Sequence, residues 1–93
     1  MELTFEKRGS YYVAEFEVTS DFNLHVERDV KEGGFLFVNQ RTSKEGQYDS
    51  VRGASFNYGD PVVDMDFVGT IYPKYIQVVS KVLPTLAVVT FNA

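Results

Sequence analysis

The sequence alternates most regularly between apolar and polar side chains in the stretch Phe22-Asn23-Leu24-His25-Val26-Glu27. Successive side chains of a β-strand point to opposite faces, so a period of two predicts one face toward a core and one toward water. Asp29 continues the polar face and Val30 the apolar face. This stretch therefore indicates β-structure, and the 8 Phe and 6 Tyr of the 93-residue chain favour the same structure elsewhere.

Similar alternation on both sides of this stretch predicts the other strands. Leu3–Glu6 and Tyr12–Val18, separated by a turn at Lys7–Ser10, predict a β-hairpin. Further strands are predicted at Phe35–Val38, Val63–Phe67, Tyr75–Val82 and Leu86–Phe91, and a turn at Lys31–Gly34. Tyr48–Gly59 has no firm period and fits either a ragged edge strand or a long loop.

The number and spacing of these strands indicate the fold class. Seven or eight short strands with turn signals roughly every 8–12 residues are typical of an antiparallel β-sandwich. An OB-like, partly open barrel is the alternative, with the uncertain middle segment as a long loop. Residues 1–93 are expected to form a single all-β domain.

Composition excludes several kinds of chemistry. The chain has no cysteine and one histidine, so disulfides, thiol catalysis and histidine-pair metal sites are excluded within one subunit, and we expect neither a metal nor a cofactor. A net charge of −4 argues against binding to a phosphate backbone. The first residues lack the order of a signal peptide, and the uncharged stretch Val82–Ala93 is too short to span a membrane, so we expect no membrane partner.

Two small groups of residues are candidates for metal binding or acid–base catalysis. Asp64 and Asp66 project from one side of a strand, and with Asp60 they offer oxygen ligands to a calcium ion, although no calcium-loop motif is present. His25 shares a face with Glu27, as in a base and its orienting carboxylate. No serine nucleophile motif or phosphate-binding glycine motif accompanies them. We therefore predict no catalytic residues, no enzymatic activity and no small-molecule substrate.

A ligand-binding module is the alternative to a structural protein. Basic residues in or near the loops form a candidate patch for single-stranded nucleic acid beside Tyr11 or Tyr48: Lys7, Arg8, Arg41, Lys44 and Arg52. A second set of side chains offers rings for stacking on sugars: Tyr48, Tyr58, Tyr72 and Tyr75.

Two strands are apolar on both faces, and these define the predicted interface. A strand in a two-layer sandwich covers only one face with core, so each of these segments has a surplus apolar face. The candidate interface residues are Phe35, Leu36, Phe37, Val38, Leu86, Val88, Val89 and Phe91. The expected partner is a protein, either a second copy or another component, and the uncharged last strand is a candidate for pairing with a neighbour's strand. The alternative is that the chain's own loops cover these residues.

The strand within Val18–Glu27, together with Ile71–Ile76 and its valine-rich hairpin, resembles the small cysteine-free β-proteins of tailed-bacteriophage particles. The resemblance covers the chain loosely and matches no specific motif, so no functional residue is carried over from that group. It implies a structural role in a virion, in which the protein decorates, cements or completes a head or tail. The expected location is accordingly the virion, with the cytoplasm as the alternative.

Overall fold

A computed structural model describes residues 1–29, 34–56, 60–69 and 71–91, and of residues 52–54 it describes only the backbone. Eight strands run in chain order through the described residues: β1 Glu6–Arg8, β2 Tyr11–Val18, β3 Phe22–Glu27, β4 Leu36–Arg41, β5 Asp49–Phe56, β6 Val62–Phe67, β7 Lys74–Ser80 and β8 Leu86–Phe91. The predictions made for Val30, residues 31–33, Tyr58 and the Arg52 side chain lie outside the described part.

The strands form two antiparallel sheets that pack together. One sheet has five strands in the order β1-β2-β7-β4-β5, and the other has three in the order β6-β3-β8. The described residues include no helix and form no closed barrel. The predicted all-β sandwich is therefore confirmed, and the OB-like barrel is not the fold.

The core lies between the two sheets and follows the alternation predicted from the sequence. Phe22, Leu24 and Val26 of β3 are at most 2% exposed. They pack in one cluster with inward side chains of the facing sheet and of both neighbouring strands: Val18, Leu36, Val38, Val63, Phe67, Ile76, Val78, Ala87 and Val89. Phe22 stacks on Phe67 with 4.7 Å between ring centroids. Burial of this apolar cluster is the main source of stability in a chain without disulfides.

The first hairpin is tighter than the sequence predicts. Lys7 and Arg8 pair with Tyr12 and Tyr11, so the turn contains only two residues. Gly9 adopts a φ of 62°, a left-handed conformation that other residues seldom take, and this permits the short connection. Lys7 and Arg8, which the sequence predicts to lie in the turn, therefore belong to strand β1.

Met1 and Leu3, which precede β1, lie along β8 and not along β2. The Leu3 amide donates to the Ala87 carbonyl at 2.9 Å, and the Val89 amide donates to the Met1 carbonyl at 2.8 Å. The edge of β8 predicted to need a neighbouring molecule is thus occupied, over these residues, by the chain itself. The ambiguous middle segment forms β5, an edge strand whose register with β4 shifts between Phe37 and Asn39.

Candidate functional site

Three of the predicted interface residues belong to the core. Leu36, Val38 and Val89 are 0%, 1% and 0% exposed. They point inward because their neighbours in sequence take the outward positions of the same strands. The prediction that these three contact a partner is therefore wrong, while Phe35, Phe37, Leu86, Val88 and Phe91 remain accessible to different extents.

The outward face of the five-stranded sheet carries an apolar cluster that we call the aromatic patch, consisting of Tyr11, Val13, Phe35, Phe37 and Val79. The rings of Phe35 and Phe37 stack with 5.6 Å between centroids, and Tyr11 meets Phe35 edge-on at 5.2 Å. Register places Val13, Val79 and Phe37 in one row across β2, β7 and β4. The patch therefore spans three adjacent strands.

Burial within the aromatic patch is uneven. Val13 and Val79 are only 7% and 6% exposed, although they point away from the sandwich core. Phe35 and Phe37 are half-buried, and Tyr11 is 42% exposed. The Lys81 Nζ lies 5.8 Å from the Tyr11 ring centroid, at the margin of the patch. The sheet thus has a second apolar layer on its outward side, with aromatic rings that remain open to contact.

Leu86 and Val88 lie on the outward face of the other sheet, in a different environment. Register sets Leu86 beside Glu27, and Glu27 beside Val62. Val88 lies beside His25, which in turn faces Asp64. A partner that covered these apolar side chains would also have to remove charged groups from water, which costs free energy. Phe91 ends β8 and is 41% exposed.

His25 is held by two carboxylates on this outward face. Its Nδ1 lies 2.8 Å from Asp64 Oδ2, and its Nε2 lies 2.9 Å from Glu27 Oε2. Asn23 Nδ2 also donates to Asp64 and Asp66, at 2.7 and 3.0 Å. Carboxylates only accept hydrogen bonds, so both ring nitrogens donate when both contacts form. The hydrogen bonds to Glu27 and then Asp64 raise the pKa of His25 above its ordinary value.

This geometry predicts a pH dependence. Because the pKa of His25 is higher in the folded chain than its ordinary value of 6.5, protonated His25 stabilises the fold. This stabilisation is complete below pH 6.5 and is lost as the pH rises through the folded-state pKa. The pKa of Asp64 is lowered by hydrogen bonds from Asn23 and His25, so its contribution is lost instead as pH falls below about 3.8. We expect the difference in melting temperature between wild type and His25→Gln to shrink as pH rises past neutrality.

The imidazole proton signals of the single histidine measure the pKa of His25 directly by NMR. A value at or below 6.5 would contradict the two-carboxylate arrangement.

The His25 cluster is suited to ion pairing and not to proton transfer. A general base needs a free lone pair, and here both ring nitrogens face carboxylates on an open sheet face. Across the described ranges, no group of three or more His, Asp or Glu side chains has an arrangement that could hold a metal ion. The suggested calcium site of Asp60, Asp64 and Asp66 therefore has no support among these residues.

The predicted aromatic and basic residues are only partly brought together. The Arg41 guanidinium lies 4.2 Å from the Tyr48 ring centroid and 6.0 Å from that of Tyr75. Tyr72 lies elsewhere, where its hydroxyl donates to Asp21. Arg8 is paired with Glu6 and Glu15, each at 2.6 Å. The full basic patch predicted for nucleic acid is therefore not formed by the residues described.

Sequence reasoning missed Arg28, which is 4% exposed. Its Nη1 donates to the carbonyls of Gly34 and Phe35 at 3.3 and 3.0 Å, and its Nη2 donates to the Asp60 carbonyl at 2.9 Å. Burial lowers the pKa of Arg28, and the nearby charge of Asp60 opposes that shift. No sequence motif marks this residue, because its acceptors are backbone carbonyls, which every residue has.

The fold and its surfaces define the chain as an antiparallel β-sandwich that exposes an aromatic patch on its larger sheet and a charged network on its smaller one. Comparison with protein-family models, curated protein sequences and solved structures found no match for the chain. None of the segments described forms a helix that is long and apolar enough to cross a membrane.

Proposed function

We propose that this chain is a non-enzymatic structural protein of a larger protein assembly, which it joins through the aromatic patch. The carrying observation is that one end of the outward face of the larger sheet is apolar, with the rings of Tyr11, Phe35 and Phe37 in contact with one another there. Tyr, Phe and Trp side chains are enriched at protein interfaces because each buries a large area at a small cost in side-chain entropy. The resemblance to phage particle proteins supports a virion as that assembly.

The chemistry of the aromatic patch specifies the partner surface. Tyr11, Phe35 and Phe37 require apolar side chains opposite them, and Lys81 at the margin favours a partner carboxylate. The outward face of the smaller sheet is a weaker candidate, because Leu86 and Val88 flank the Glu27–His25–Asp64 network. Covering that face would bury charges that lie between its apolar side chains. The aromatic patch has its charged neighbours Glu6 and Arg8 on the edge strand β1, beside Val13 and Tyr11, where they pair with each other.

Two observations favour a structural role over catalysis. The histidine has carboxylates at both ring nitrogens, so the strongest candidate base is already engaged. The aromatic patch itself contains no acidic, basic or histidine side chain, and it lies on a sheet face. Burial of apolar side chains stabilises protein association without any such group.

Phe37→Asp is expected to exclude the chain from its assembly. The substitution places a charge within the aromatic patch, against the Phe35 ring and beside Val79. Loss of an aromatic hot spot at an interface costs about 2 kcal/mol or more, or at least about thirtyfold in affinity. The measurement is the fraction of a tagged chain that co-purifies with the native species isolated from its source, whose mass native mass spectrometry would give. Tyr11→Ser, which changes a more exposed ring, should reduce the same fraction.

Val88→Asp is the matched control, because it places the same charge on the outward face of the other sheet. It should co-purify as wild type does, and circular dichroism should show all three variants folded. Normal incorporation of both Phe37→Asp and Tyr11→Ser would contradict the proposal. A native species with the 10.6 kDa mass of one chain would contradict it as well.

A further inference from the structure

The far end of the same sheet face contains an open cavity of about 270 Å³. Seven charged or aromatic residues line it, and we call this the tyrosine cavity: Glu15, Phe16, Glu17, Arg41, Lys44, Tyr48 and Tyr75. Its volume is slightly below the roughly 300–1,000 Å³ of sites for drug-sized ligands, which suits a ligand of one or two small rings. A row of polar side chains, Glu15, Gln77 and Asn39, separates it from the aromatic patch.

Strand register and one stacking contact position the walls of the tyrosine cavity. Tyr75 of β7 lies between Glu17 of β2 and Arg41 of β4 in one row across the sheet. The Tyr48 ring packs against the Arg41 guanidinium, and Arg41 Nη1 donates to the Gly46 carbonyl at 2.7 Å. Gly46 has a φ of 120°, which disfavours any other residue there. Arg41 is therefore held in place before any ligand arrives.

Two charged side chains of the tyrosine cavity have no partner among the described residues. Glu17 and Lys44 make no hydrogen bond or ion pair to any residue that the structure describes. Glu15, in contrast, already accepts from Arg8 at 2.6 Å and from Gln77 at 3.3 Å. Among the described residues, the cavity thus offers one free acceptor group, Glu17, and one free donor group, Lys44, around two tyrosine rings.

The charges of the tyrosine cavity cancel, since Glu15 and Glu17 oppose Arg41 and Lys44. A lining with no net charge has no overall attraction for an anion such as phosphate or a cation such as ammonium. An apolar ligand would leave the polar wall unpaired, which costs free energy. A neutral polyhydroxyl ring satisfies both kinds of polar group, and its C–H face packs on a tyrosine ring.

We infer that the tyrosine cavity binds a neutral saccharide. Tyr75 supplies the stacking ring, because the Arg41 guanidinium packs on Tyr48 at 4.2 Å and lies farther from Tyr75, at 6.0 Å. Glu17 accepts hydrogen bonds from sugar hydroxyls, and Lys44 donates to them. This inference is independent of the proposed assembly role, since the two surfaces lie at opposite ends of the sheet face.

The test is an NMR titration of the ¹⁵N-labelled chain with neutral trisaccharides of glucose, mannose and N-acetylglucosamine at millimolar concentrations. We expect at least one of them to shift amide signals of residues 15–17, 41–48 and 75. Tyr75→Ala should weaken the binding at least about tenfold, while Tyr75→Phe, which keeps the ring, should bind nearly as wild type does. Glu17→Ala provides a second test if Tyr75→Ala fails to fold.

Tyr11→Ala is the matched control, because Tyr11 lies on the same sheet face but in the aromatic patch. It should leave saccharide binding unchanged. Absence of shifts with all three trisaccharides, or binding that survives Tyr75→Ala and Glu17→Ala, would overturn the inference. Shifts of the same amides caused by an oligothymidylate or by inorganic phosphate, and not by a sugar, would overturn it as well.

Discussion

Val89→Asp is expected to leave the chain unfolded at room temperature. Val89 is 0% exposed and packs in the core opposite Leu24 of β3. An ionised carboxylate there would lose its hydration without a partner, at a cost comparable with the whole stability of a small domain, about 5–15 kcal/mol. Circular dichroism and the dispersion of the amide NMR spectrum measure the result.

Val88→Asp, one residue earlier on the same strand, is the control for this experiment. Val88 points outward and is half-buried beside His25, so we expect a loss of about 1 kcal/mol or less in the free energy of unfolding. The same substitution at two neighbouring positions therefore distinguishes the buried face of β8 from its outward face by the loss of stability. A folded Val89→Asp variant with native-like dispersion would contradict the placement of Val89 in the core.

Arg28→Met is expected to give the second large effect. Methionine keeps much of the side-chain volume but removes the donors to the carbonyls of Gly34, Phe35 and Asp60. Each buried acceptor left without a donor costs about 1–3 kcal/mol, and relief of the buried charge offsets part of that loss. We expect a net loss of about 2–4 kcal/mol in the free energy of unfolding, measured by urea denaturation.

Arg8→Met is the matched control for Arg28→Met. Arg8 also contacts two groups, Glu6 and Glu15, but its side chain is 46% exposed. Exposed ion pairs contribute under about 1 kcal/mol, so the two arginines should differ clearly. Equal losses in the two variants would show that Arg28 does not stabilise the loops that it contacts.

The aromatic patch and the tyrosine cavity lie on the same outward face of the larger sheet but do not overlap. The aromatic patch and the tyrosine cavity are divided by the row of Glu15, Gln77 and Asn39, in which Asn39 donates to Gln77 at 2.8 Å. A protein partner bound at the patch would leave the tyrosine cavity open. An assembly built in this way would display one saccharide site for each chain that it contains.

The sequence by itself determined the fold class and most of the strands. Leu86–Phe91 is a strand with the predicted bounds, and β6 begins at Val62, one residue before the predicted Val63. The alternation predicted from Phe22 onward forms a strand over Phe22–Glu27 and ends before Asp29. These predictions succeed because alternation with a period of two is a property of neighbouring residues. The sequence also indicated that Phe35–Val38 has two apolar faces, which the structure confirms through Leu36 on one side and Phe37 on the other.

Only the tertiary structure decided which residues meet. His25 and Asp64 lie 39 positions apart, and the pairing of β3 with β6 brings them into contact. Tertiary packing likewise brings Arg28 to the carbonyl of Asp60. It also places Arg41, Tyr48 and Tyr75 around one cavity. A period of two shows that a strand has two faces, but it does not show which strand lies beside it or which face turns inward. Those choices depend on packing the whole core at once, because every strand must bury its apolar face against strands that are remote in sequence.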